Sequence, residues 1–202
     1  MMYRITKALS KLHEGVCSGF FKLRFRCNRQ IKFGKSLKCY GLPKLNLFAG
    51  STIFFGNGVV LRNSQFSNSI GVALPCVFSL SSSKASLVIK DNVGMSGVSI
   101  NCRSSVIIHD RACLGSGAII LDNDCHPLNP VDRSNESIES IKSAPVEIGE
   151  DAFIGARAII LRGVKIGART IVQAGSVVNA GEYPSDVIVA GNPAVVVSQK
   201  IN

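Results

Sequence analysis

Between Asp122 and Arg133 the chain reads DNDCHPLNPVDR, and this stretch gathers side chains that could do chemistry. His126 is flanked by Asp122 and Asp124 upstream and by Arg133 downstream. An imidazole titrates near neutral pH and can take the proton of a weak nucleophile such as a hydroxyl, a contribution typically of about 10² to 10⁴ in rate. Asp124 lies two residues before His126, so the two share a face if the strand runs that far, and Asp124 is the better candidate to orient the ring or stabilise the imidazolium. The plainer alternative is a histidine that ends a ladder and hydrogen-bonds in a loop. His109 follows Ile108 and is expected to face outward, while His13 belongs to the N-terminal segment.

What must hold His126 is a repeat. From Ile148 onward a β-branched residue recurs every six positions, at Ile148, Ile154, Ile160, Ile166, Val172 and Val178. Six is even, so each keeps the same facing along extended chain, but a single strand of that length would far exceed the usual 3 to 10 residues. The chain must turn at regular corners and wind into a β-solenoid whose aliphatic side chains stack as internal ladders. Ile108, Leu114 and Ile120 carry the same phase, and by the count of six His126 is the next ladder position. The register loosens upstream: Ile89 to Ile108 spans 19 residues, implying a one-residue insertion near 102–106, and residues 64–86 match poorly. His126 to Ile148 spans 22 residues, so 127–144 is expected to leave the solenoid as a loop, and long loops on regular scaffolds often carry function.

Composition limits the classes. Hydrophobic residues make up 46% and charged residues 18% of 202, with 19 glycines and no tryptophan, a balance that favours ordered β structure over disorder or coiled coil. The formal charge of +10 favours anionic partners. Its centre is N-terminal: Arg4, Lys7, Lys11, Lys22, Arg24, Arg26, Arg29, Lys32, Lys35 and Lys38 lie in the first 40 positions, where Glu14 is the sole acid. No recognised module or aromatic platform accompanies that charge, which argues against nucleic acid. Seven cysteines without a CxxC pair support neither a disulfide framework nor a zinc site. No signal-peptide core or membrane span is evident, so a cytoplasmic protein is expected. Ile5, Leu9, Leu12, Val16 and Phe20 fall at helical spacing, which predicts an amphipathic helix that caps the open end of the solenoid. Contact with an acidic membrane surface or an anionic glycan is its alternative use.

The chain resembles the left-handed β-helix, hexapeptide-repeat acyltransferases, and within them the sugar and polysaccharide O-acetyltransferase branch. The resemblance rests on DNDCHPLNPVDR, on APVEIGEDAFIGARAIILRGVKIGARTIVQAGSVV and on IVAGNPA at 188–194, and covers roughly residues 40–197. It implies an all-β, left-handed parallel β-helix over 40–197, preceded by a basic extension over 1–39 and followed by a tail at 198–202. Left-handed winding comes only from the resemblance, since parallel β crossovers are normally right-handed. It further implies a homotrimer, acetyl-CoA bound between subunits, a glycan or sugar acceptor, and His126 as the base. Ala156, Ala174, Asn179 and Ala180 are the implied cofactor contacts. Phe153, standing where the family usually has tryptophan, and Arg133 are the candidates for the acceptor. After GNPA, where the family commonly has a basic residue near the CoA phosphates, this chain has Val195, Val196 and Val197. The metal-dependent relatives of the same fold need three convergent histidines, which this chain does not supply, so no metal is expected.

Overall fold

The computed structural model describes the backbone of residues 2–199 and the side chains from residue 11 onward. The helix positions Ile5 and Leu9 and the tail residues 200–202 lie outside those described side chains.

Short parallel strands form three sheets that share one core. Sheet I stacks Ile31–Phe33, Thr52–Phe55, Ser86–Ile89, Ser105–Ile108, Val146–Ile148, Val164–Ile166 and Gly181–Tyr183. Sheet II runs from Lys38–Tyr40 through Val60–Arg62, Gly94–Ser96, Cys113–Leu114, Phe153–Ile154 and Ile171–Val172 to Val187–Gly191, where Ala194–Gln199 closes the edge as an antiparallel partner. Sheet III stacks Lys44–Leu47, Val77–Leu80, Ser99–Cys102, Ile119–Leu121, Ile159–Ile160 and Val177–Val178. Every turn of chain thus visits I, II and III in order.

The period of six is the geometry of this core. Ile108 pairs with Ile148 and Ile148 with Ile166, Leu114 with Ile154 and Ile154 with Val172, Ile120 with Ile160 and Ile160 with Val178. All of them are buried. The glycine after the aliphatic residue sits where consecutive coils stack closely: a Cβ on Gly115 would lie 2.5 Å from the Ala156 amide nitrogen.

Departures from the period mark where the chain leaves the core. The expected one-residue insertion near 102–106 is a net effect. Ile89, Met95 and Ile100 pair with Ile108, Leu114 and Ile120, so the corner around Gly97 is one residue shorter than six and the corner at Arg103 and Ser104 two longer. Residues 63–76 form an excursion between sheets II and III, after which Phe78 resumes the ladder beside Ile100. The solenoid starts at Ile31, inside the segment assigned by sequence to the extension. Ahead of it, helix α1 (Met2–Phe25) closes the open end.

The expected face of α1 is corrected. Phe21 is buried, packing edge-on against Phe25, Phe33 and Phe55, and Ser18 Oγ accepts the Cys39 amide at 2.8 Å. Leu12, Val16 and Phe20, read from spacing as the capping stripe, are exposed, as is Leu23. Helical spacing identifies a stripe but cannot say which side the solenoid mouth takes, and the aromatic cluster at that mouth accepts Phe21.

Candidate active site

His126 does not occupy the ladder. The partner of Ile108 is Ile148, and the chain leaves the solenoid directly after the strand Ile119–Leu121. Counting by six fixes the facing only while the strand continues, and a buried imidazole without partners would cost roughly 2 to 7 kcal/mol. The excursion therefore covers 122–145 rather than 127–144, and His126 is exposed on its first turn.

Asp122 makes that exit. Its fully buried carboxylate accepts the amides of Arg103 and Ser104 at 2.7 Å each, the Ser104 hydroxyl at 3.0 Å and the Asn123 side-chain amide at 2.9 Å. Burial, together with this carboxylate, pushes the neighbouring Cys102 thiol up. The loop base is closed by an antiparallel bridge between Asn123 and Ser143 and by the Ala144 amide donating to the Asp122 carbonyl at 2.8 Å. Cys125, at a φ of 60°, reverses the chain, and the His126 amide donates to the Asp124 carbonyl at 2.7 Å. These contacts set where His126 leaves the scaffold.

Asp124 is engaged elsewhere than expected. Its Oδ1 accepts from Arg162 Nε at 2.6 Å, and its Oδ2 is buried without a hydrogen-bond partner among the described residues. No carboxylate among the described residues holds the His126 ring. Arg162 sits on the corner after Ile159–Ile160, and nothing in its spacing connects it to a loop 38 residues upstream.

His126 and Arg133 line one cavity of about 710 Å³, with Asn101, Arg103, Asn123 and Glu136 on its polar side and Phe48, Ile138 and Ile141 on its apolar side. Helix α2 (Pro130–Ser134) begins at the Asn129 cap and carries Arg133, whose Nη1 donates to the carbonyls of Pro127 and Leu128 at 3.1 and 3.3 Å. Arg103 Nη2 donates to the Ile138 carbonyl at 2.7 Å and ties the far side of the loop to the solenoid.

Ala156 and Ala174 line a second cavity, a groove of about 810 Å³ along the corner between sheets II and III. Its floor is small, with Gly97, Ser116, Gly117 and Gly175. The 63–76 excursion supplies an apolar wall of Ile70, Val72 and Leu74, and Arg157 is its cation. Asn179 and Ala180 fall outside that lining, on the other edge of sheet III, just past Val177–Val178. Phe153, 44% exposed, stands on sheet II between Cys113 and Ile171 and lines neither cavity.

The two cavities meet across one strand. In Ser99–Cys102 the outward residues are Ser99, which lines the groove, and Asn101, which lines the His126 cavity. Two residues of a strand span about 7 Å, so the sites adjoin on the same face.

The hexapeptide repeat of succinyl-transferase, as a family model, matches residues 145–180. A 2,3,4,5-tetrahydropyridine-2,6-dicarboxylate N-acetyltransferase of Staphylococcus aureus is 45% identical over 62 residues, 31% of this chain and 26% of the relative. The match thus spans about a quarter of that protein's length. Among solved structures, AntD, an N-acyltransferase from Bacillus cereus in complex with dTDP and 3-hydroxybutyryl-CoA, superposes with a TM-score of 0.65 at 18% identity, covering 89% of this chain and 88% of that one. The acetyltransferase domain of PglB from Neisseria gonorrhoeae, in complex with acetyl coenzyme A, gives 0.51 at 19% identity, covering 81% and 58%. The repeat match is confined to residues 145–180, and over most of the chain the fold is the left-handed β-helix of the acyltransferases.

Proposed function

We propose that the chain is a cytoplasmic, homotrimeric acetyltransferase that moves an acetyl group from acetyl-CoA to a sugar hydroxyl, in a capsular or other surface polysaccharide or its precursor. The observation that carries this reading is the adjacency of the two cavities across Ser99 and Asn101, with His126 on the far one. A narrow groove floored by glycine, alanine and serine suits an extended pantetheine arm, and Arg157 suits its phosphates. Acetyl-CoA supplies an activated thioester. The chain's own part is to hold the acceptor hydroxyl in the His126 cavity and to take its proton as the oxygen attacks the thioester carbonyl. The proton then leaves with the CoA sulfur as the C–S bond breaks. Asp124, two residues from His126 and held by Arg162, would steady the imidazolium through its charge rather than through a hydrogen bond to the ring. Arg133 and Asn101 offer polar contacts to a hydroxylated acceptor.

A second reading has the same fold acylating an amino sugar, and it is favoured by the N-acyltransferases among the similar proteins. One experiment separates the two: acetyl-CoA consumption by wild type and His126→Ala over a panel of hydroxyl and amine acceptors. A neutral amine is a competent nucleophile and an alcohol is not. Loss of the base therefore lowers transfer to a hydroxyl by about 10² to 10⁴ and transfer to an amine much less. Equal turnover of a hydroxyl acceptor by both proteins refutes His126 as base, and absence of acetyl-CoA binding leaves a non-catalytic scaffold.

A further inference from the structure

We infer that the outward face of α1 seats on an anionic lipid surface. The helix has two faces with different tasks. Ser18, Phe21 and the half-buried Cys17 and Phe25 meet the solenoid mouth. On the opposite side Leu12, Val16, Phe20 and Leu23 are 66%, 64%, 48% and 70% exposed. At 3.6 residues per turn these four fall within an arc of about 80°, an unbroken apolar stripe over three turns. A cap needs only one apolar face, so the second is unexplained by the fold.

Charge selects the occupant. From residue 11 to residue 38 the cations Lys11, Lys22, Arg24, Arg26, Arg29, Lys32, Lys35 and Lys38 face a single acid, Glu14. All but Lys22 are exposed. Around the helix, Lys11 and Lys22 flank the stripe on one side, about 120 to 140° from its centre, and Arg24 on the other, about 80° from it. An apolar strip bordered by cations suits a helix lying in a bilayer interface, with acyl chains taking the stripe and anionic headgroups the border. Two copies of so basic a surface would repel one another, which disfavours self-association through it. No described helix is long and apolar enough to cross a membrane, so the contact is peripheral.

The test is sedimentation of the purified full chain with vesicles of phosphatidylcholine alone or mixed with phosphatidylglycerol, at about 0.1 and 0.5 M salt. Binding is expected to the mixed vesicles at low salt and to fall sharply at high salt. The apolar variant Leu12→Gln/Val16→Gln/Phe20→Gln/Leu23→Gln is expected to lose at least about 100-fold in partitioning. Arg24→Gln/Arg26→Gln/Arg29→Gln is expected to lose on the order of 100-fold, about fivefold per cation. Thermal melts check that both variants fold, and the charge variant stands alone should the apolar one fail. Failure of wild type to bind the mixed vesicles overturns the inference, as does an apolar variant that binds as well as wild type. Unchanged vesicle binding with a smaller mass in solution would assign the stripe to a contact between copies and also overturn it.

Discussion

Replacing Asp122 with asparagine tests how the scaffold holds the candidate base. The carboxylate presents two acceptors to two backbone donors, Arg103 N and Ser104 N, both at 2.7 Å, with no solvent in reach. An asparagine of the same shape presents one oxygen and one NH₂, so one of those amides must face a donor. A hydrogen bond to a charged group contributes about 1.5 to 3 kcal/mol, and an orphaned buried amide costs about 1 to 3. The two penalties overlap in part, which gives roughly 3 kcal/mol for Asp122→Asn. In a chain of this size about 1 kcal/mol corresponds to 2 to 4 °C, so Tm should fall by about 6 to 12 °C at fixed protein concentration. Hydrogen exchange localises the effect: the amides of Arg103, Ser104 and Ala144 should lose protection while Ile148, Ile160 and Ile166 in the ladders keep theirs. Turnover should fall as well, because His126 departs from this corner. A Tm change below about 2 °C with Arg103 and Ser104 still protected would refute the reasoning.

Arg162→Ala removes the partner of a carboxylate whose other oxygen is already buried and unbonded, and is expected to destabilise by roughly 2 kcal/mol. Adding Asp124→Asn should recover part of that loss, and additive effects in the double-mutant cycle would argue against direct coupling. The thiols predict an alkaline limb. Burial, then the neighbouring Cys76, pushes Cys39 up to about 12, and burial pushes Cys76 up to about 11. Both groups hold their proton more tightly folded than unfolded. The stability they contribute is therefore complete below pH 9, and falls above it by up to about 1.4 kcal/mol per pH unit per thiol until each folded pKa is reached. Denaturant melts at pH 8, 9 and 10 check the slope, and a thiol reagent at pH 8 should modify exposed Cys27 but neither Cys39 nor Cys76 in the native protein.

The solenoid was legible because its cause is local. A β-branched residue every six positions with glycine beside it can bury its side chains only by turning, so Ile148 to Val178 announce the coils one by one, and the pairings follow them without a slip. The aliphatic period also signalled two interruptions, because a broken ladder shows in the sequence as a missing residue, but it set them at 64–86 and after His126, where the structure has 63–76 and a departure directly after Leu121. The chemistry-bearing types in DNDCHPLNPVDR were visible too, but not their positions. The period placed His126 inside, and the structure places it outside, because where a strand ends depends on Asp122 finding the amides of Arg103 and Ser104 on the preceding coil. Arg162 beside Asp124, Asn101 between the two cavities, the 63–76 wall over Ala156 and Ala174, and the choice of Phe21 over Leu12, Val16 and Phe20 all depend on residues brought together by stacking. The sequence by itself determined the repeat, its core and the candidate base. The tertiary structure decided which side chains that base would meet, since contacts between coils join positions with no fixed spacing along the chain.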